Sequence, residues 1–246
     1  MLLSNWRSTP AAKSNSDEGL FRRALATFSG RRIMTTMGYR LAILSDIHAD
    51  LHALQDALRA IDAMRPDAIV CAGDLVDYGL FPDETIALLA SRQIPCVRGN
   101  HDRWVVEEKG RGGWDLTLAS RSFLAALPLS WERVIEGVRA AVHHASPRRD
   151  MEGVDPVEID VAYARALLDR AEADVLVVGH THLAFRLELP GRGVIVNPAA
   201  ILRAPADGTD NPPATGTFGI LDLPGGAFTV HRAHDGAEVS ILRRTF

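Results

Sequence analysis

Five short apolar runs in this sequence each lead into side chains that can bind a metal ion. The run at 40–45 continues into Ser45-Asp46-Ile47-His48, and the run at 68–72 into Gly73-Asp74-Leu75-Val76-Asp77. The run at 94–98 is followed by Gly99-Asn100-His101-Asp102. The run at 138–142 ends in His143-His144, and 174–178 ends in Gly179-His180-Thr181-His182. Asp and Asn after a strand often serve only as turn or capping residues, but five such ends in succession point to a site. Mixed imidazole and carboxylate donors suit Mn, Fe, Zn or Ni better than Ca or Mg. Side chains at i and i+2 of an extended segment share a side. Asp46 and His48 are therefore expected to face one cation, and His180 and His182 a shared centre. Glycines 73, 99 and 179 allow sharp turns and close backbone approach.

The elements that must carry these residues follow from periodicity. Residues 40–45 read as a buried strand, and Leu51, Leu54, Leu58, Ile61 and Met64 repeat as one apolar helix face does. Strands are expected at 68–72, 94–98, near 138–143 and at 174–178. Helices are expected at about 83–92, over parts of 101–126, and near 158–172. The last seventy residues change to short strand-like runs at 183–189, 193–196, 217–222, 226–231 and 238–243. Alternating strands and helices followed by a run of strands predict a layered α/β domain with a mixed sheet. In open α/β sheets ligands bind beyond the carboxyl ends of strands, where these side chains fall.

Composition narrows the field. The chain has 246 residues, 47% hydrophobic and 24% charged, ordinary usage for a globular domain that buries a core. No apolar stretch approaches the ~20 residues of a membrane helix, so a soluble protein is expected. Residues 1–38 carry six basic and two acidic side chains, leaving 21 basic and 29 acidic for the rest. An acidic body argues against broad capture of nucleic acid, which needs clustered Lys and Arg. Cys71 and Cys96, each inside an apolar run, read as buried thiols in a reducing, cytoplasmic setting. Residues 1–38, rich in Ser, Thr, Arg and Ala, read as a disordered extension, with initiation near Met34 or Met37; residues 39–246 form the expected single domain.

Asp-x-His, Gly-Asp-x-x-Asp, Gly-Asn-His-Asp, a later His and Gly-His-x-His, in this order, resemble the calcineurin-like metallophosphoesterases. The likeness is to their small bacterial and archaeal phosphodiesterase-type members, over about residues 40–222. It implies a four-layer α/β/β/α sandwich. It implies that Asp46, His48 and His182 bind one divalent transition metal, that Asn100, His144 and His180 bind another, and that Asp74 bridges both. Manganese is the expected ion, with Fe, Zn or Ni as alternatives. His144 is preferred to His143 because it matches the His before Gly-Ser-Pro in relatives, here His144-Ala145-Ser146-Pro147. Two cations ~3.5–4 Å apart can share a hydroxide and hold phosphate oxygens for in-line attack. His101 is the implied proton donor to the leaving group, and Asp77 its orienting partner.

The resemblance therefore implies a metal-dependent hydrolase of phosphodiesters or phosphomonoesters acting on a small-molecule or nucleotide substrate. Dinucleoside polyphosphates, phosphoproteins and a non-catalytic metal-bound scaffold remain as alternatives. Tyr78 stands where phosphoprotein phosphatases carry a phosphate-gripping Arg, and Asn197-Pro198-Ala199-Ala200 replaces the usual Asn-Pro-Gly-Ser. Asp102 reads as a helix cap or an anchor for His101. Arg98 and Arg148-Arg149 read either as solvated arginines or as phosphate contacts. Trp104, Trp114 and Trp131 read as core, and His52, His231 and His234 as surface. The loop at 201–216 is a candidate substrate wall. There is no Gly-x-Ser-x-Gly elbow, and neither Lys13 nor Lys109 lies in a Walker-type loop.

Overall fold

Period-2 burial along the strands explains how this chain layers itself. In β1 (Tyr39–Leu44), Leu41 and Ile43 join one buried cluster while Ala42 and Leu44 join another. In β5 (Val175–Val177), the outer valines face the first of these clusters and Leu176 faces a third. Both strands are thus buried on both faces, as central strands of a sheet covered on each side must be.

The computed structural model describes residues 38–107, 116–203 and 216–246. The expected extension thus lies outside the described residues but for Gly38, as do Lys109, Trp114 and residues 204–215 of the candidate wall. The remaining elements are α1 (Leu51–Met64), β2 (Ala68–Cys71), α2 (Pro82–Ser91), α3 (Asn100–Val106), α4 (Leu118–Ala126), β3 (Ser130–Ile135), β4 (Val138–His143) and α5 (Val161–Arg170). After β5 come β6 (Ala184–Leu189), β7 (Gly193–Pro198), β8 (Thr217–Leu223), β9 (Ala227–Arg232), β10 (Glu238–Val239) and β11 (Leu242–Thr245).

Two mixed sheets result, ordered β10-β9-β8-β1-β2 and β11-β6-β7-β5-β4-β3. Leu41, Ile43, Val70, Leu221 and Phe228 of the first sheet meet Val142, Val175, Val177 and Val196 of the second in the central core. The outer face of the first sheet packs on α1, α2 and α4, and that of the second on α5. This is the expected four-layer α/β/β/α sandwich. Asp50 caps α1, its carboxylate accepting from Ala53 N at 3.0 Å, and Asp160 caps α5 through Tyr163 N at 2.7 Å. Among the described residues no helix is long and apolar enough to cross a membrane.

Three expectations need correction. Residues 94–98 form no strand; they run beside β2 with a single bridge between Cys71 and Cys96. Pro95 has no N–H to donate, and at Arg98 the backbone turns away to bond Pro128 O at 2.7 Å. Strand β3 was not foreseen, because its exposed Glu132, Arg133 and Val134 hide any alternation. Its signal was the Glu136-Gly137 turn, where both residues have positive φ, as a two-residue hairpin loop requires. The run at 238–243 splits in two: β10 pairs with β9, whereas β11 crosses to pair with β6 of the other sheet.

Candidate metal centre

The loops after β1, β2, β4 and β5 and the start of α3 meet at one end of the two sheets. The chain enters this end in an unusual backbone state. Asp46, His48, Asp74, His180 and His182 all have φ between 50° and 68°. Non-glycine residues there carry local strain that the surrounding structure must hold. The alternation expected for Asp46/His48 and His180/His182 is therefore not what aims them; left-handed turns do. Glycine is required where these loops touch: a Cβ on Gly99 would lie 2.0 Å from Asp74 Oδ1, and one on Gly179 2.0 Å from Ser45 Oγ.

All seven residues expected to bind metal come together here. Asp46, His48 and His182 offer ligand atoms within 4.8 Å of one another, and so do Asp74, His144 and His180. His182 Nε2 is 3.2 Å and His48 Nε2 3.9 Å from Asp46 Oδ1. Asp74 Oδ2 is 3.1 Å from His144 Nε2 and 3.8 Å from His48 Nε2, so one oxygen faces both groups. Asn100 Oδ1 lies 2.9 Å from His144 Nε2. His143 stays outside the cluster, in the wall of a neighbouring cavity.

Each carboxylate is held by one oxygen and presents the other. Asp46 Oδ2 accepts from Ser45 Oγ at 2.5 Å and His180 N at 3.0 Å. Asp74 Oδ1 accepts from His101 N at 2.9 Å. His144 Nδ1 donates to Ala72 O at 2.9 Å, which leaves Nε2 facing the cluster. Asp46 Oδ1 is buried with no hydrogen-bond partner among the described residues. A buried carboxylate oxygen without a donor is costly, and facing ring nitrogens it marks where a cation fits.

The charges agree. Burial opposes ionisation of Asp74, but His144 and His48 offset it and hold the carboxyl well below its usual range. Burial likewise disfavours a proton on His144, yet Asp74 pushes that ring up to about 10. Burial lowers His48 and His180, which favours the uncharged ring. His182 is raised against its own burial by the Asp46 carboxylate.

Beside the cluster, Asp77 Oδ2 lies 2.7 Å from His101 Nδ1. The His101 ring is clamped by His48, Tyr78 and Trp104, with centroids 4.8, 4.8 and 4.7 Å away. Trp104, expected in the core, is thus a wall of the site. His101, His48 and Asp74 also offer ligand atoms within 4.8 Å of one another, so His101 borders the centre directly. Asp102 anchors Asp74 rather than His101: its carboxylate accepts from Asp74 N, Leu75 N and Gly99 N at 2.8–3.0 Å. Sequence reasoning left Asn197 without a role. Its side chain is buried and donates to Gly179 O at 2.8 Å and Thr181 Oγ1 at 3.2 Å, bracing the loop that carries His180 and His182.

Among known proteins, MJ0912 of Methanocaldococcus jannaschii is 29% identical over 160 residues, 59% of this chain and 63% of that relative's length. This chain thus matches less than two thirds of that protein. The crystal structure of a metallophosphoesterase from Sphaerobacter thermophilus superposes with a TM-score of 0.60 at 25% identity, covering 82% of this chain and 89% of that one. PH1004 of Pyrococcus horikoshii OT3 shares the fold, with a TM-score of 0.64 at 18% identity over 79% and 87% of the two chains. Residues 39–224 match the calcineurin-like phosphoesterase superfamily domain, a span holding every side chain of the cluster, and the chain belongs to that superfamily.

Proposed function

We propose that this protein hydrolyses phosphate esters of small molecules or nucleotides at a centre of two divalent transition-metal ions, Mn²⁺ foremost. The observation that carries this reading is Asp74 Oδ2, which stands between His48 of one ligand group and His144 of the other. Asp46, His48 and His182 would hold one cation, Asn100, His144 and His180 the other, with Asp74 common to both. Two bound cations would lower the pKa of water and neutralise phosphate charge for in-line displacement.

The protein's own groups do the rest. Asp77 accepts from His101 Nδ1 and turns Nε2 outward, 3.4 Å from the Tyr78 hydroxyl. His101 donates a proton from Nε2 to the departing alkoxide, while Asp77 supports the charged ring. The three clamping rings keep that nitrogen aimed, so little ordering remains to be done during reaction. Family membership alone does not require catalysis, but the ligand set and the His101–Asp77 pair are complete, which favours hydrolysis over a scaffold role.

The test is turnover of p-nitrophenyl phosphate and bis-p-nitrophenyl phosphate with Mn²⁺, with elemental analysis of the loaded protein. Hydrolysis of either substrate, abolished by a chelator and accompanied by two ions per chain, is expected. Two bound ions without turnover on any metal would favour a scaffold.

A further inference from the structure

The centre accounts for the Asp, Asn and His residues at the strand ends but not for the arginines beside it. Arg98, two residues before Asn100, lines a cavity of about 110 Å³ together with Leu129, His143, His144, Arg148 and Arg149. His144 belongs to both, so the cavity abuts the centre. Arg98 is half-buried; its Nε is fully buried and has no hydrogen-bond acceptor among the described residues. Among the described residues Asp150 is the only acidic side chain in the wall, where Arg103 occupies it at 2.6 Å; outside the wall, Glu152 lies 3.7 Å from Arg148. Ser146 Oγ accepts from the backbone N–H groups of Arg148 and Arg149 at 3.1 and 3.3 Å, fixing the turn that presents both arginines.

A guanidinium taken partly out of water with no carboxylate beside it favours an anion at its open end. The planar fork of Arg matches phosphate oxygens in two-point contact. The cavity has room for a tetrahedral oxyanion. We propose that this cavity is a second phosphate subsite, and that the preferred substrate carries another phosphate next to the one being cleaved. The substrate class is then a diphosphate or phosphate-chain ester. The proposal rests on the phosphoesterase reading above for the phosphate at the metals.

The test compares kcat/KM for diadenosine tetraphosphate, which carries a phosphate chain, with that for p-nitrophenyl phosphate, which carries a single phosphate. In Arg98→Met the ratio of the two should fall ~10- to 100-fold, the scale of a charge-assisted hydrogen bond. Arg149 is exposed, so Arg149→Ser leaves the fold intact and should lower the ratio in the same direction by a smaller factor. Equal loss on both substrates in both variants would overturn the subsite. A direct measurement separates this from failure of the phosphoesterase reading. By calorimetry, pyrophosphate in excess Mn²⁺ should bind the wild-type protein about tenfold or more tighter than orthophosphate, with the advantage lost in Arg98→Met. Equal binding of the two anions overturns the subsite even if no substrate turns over. Absent turnover with the pyrophosphate advantage intact rejects hydrolysis alone and supports the subsite.

Discussion

Asp46 and Asp74 end neighbouring parallel strands in nearly the same backbone state, with φ of 51° and 54°, yet they occupy different stations in the cluster. Asp46 spends Oδ2 on Ser45 and the His180 amide and points Oδ1 at His48 and His182. Asp74 spends Oδ1 on the His101 amide and points Oδ2 between His48 and His144. The φ angle is nearly the same at both aspartates. What differs is the neighbours: Asp46 meets one group of imidazoles, whereas Asp74 meets both. Under the proposed reading, a terminal and a shared ligand would thus arise from aspartates in like positions after adjacent strands.

Substitution separates the two stations most sharply. Asp74→Asn should release both cations and lower turnover by more than the ~10²–10⁴-fold usual for a general acid, whereas Asp46→Asn should release one cation and keep the other. Metal counts per chain decide this; equal losses from the two variants would erase the contrast. His101→Ala comes next. It should leave two ions bound and reduce kcat by ~10²–10⁴-fold. Metal loss in that variant would make His101 a ligand, as its place beside His48 and Asp74 permits.

Protons sharpen the contrast further. Each aspartate raises the pKa of the imidazole it faces, Asp46 that of His182 and Asp74 that of His144. Burial opposes both, but Asp74 wins by enough to push His144 up to about 10, so its charge is present throughout the neutral range. In metal-free protein this raised ring stabilises the fold fully below the ordinary His value of 6.5. That contribution is lost progressively as pH rises toward about 10. The Tm of metal-free protein should fall across this window. Mn²⁺ affinity should rise across it, because the cation must displace the His144 proton. Calorimetry in buffers of different ionisation enthalpy measures the protons released; none released near neutral pH would contradict the pairing.

The smallest effect is expected at Asn197. Asn197→Ala leaves every ligand in place but unbraces the His180–His182 loop, and should weaken metal affinity by ~10–100-fold, the usual size for groups that orient ligands. A titration with Mn²⁺ checks it. An unchanged affinity would mean that the loop's left-handed residues hold themselves.

Much of the site was legible because metal ligands must be chemically distinctive. Asp, Asn and His placed after apolar runs stand out against strands made of Val, Ile and Leu. Asn197 was harder to read, since a buried amide bonding two main-chain or hydroxyl oxygens leaves no pattern in the chain. Strand β3 was missed for a related reason: an edge strand with exposed residues shows little apolar alternation. The run at 238–243 displayed β propensity, but propensity does not say which sheet a strand will join.

The sequence alone determined the alternation of elements, the residues that could ligate, and the family to which their order corresponds. These depend on side-chain chemistry and on periodicities of two and 3.6, which are local. Tertiary structure alone decided that Asp74 Oδ2 faces both His48 and His144, that Asp102 supports Asp74 and not His101, and that Arg98 lines a cavity whose acid, Asp150, is taken by Arg103. Each of these depends on which distant loops meet at the ends of two packed sheets, and packing, not local preference, sets those distances.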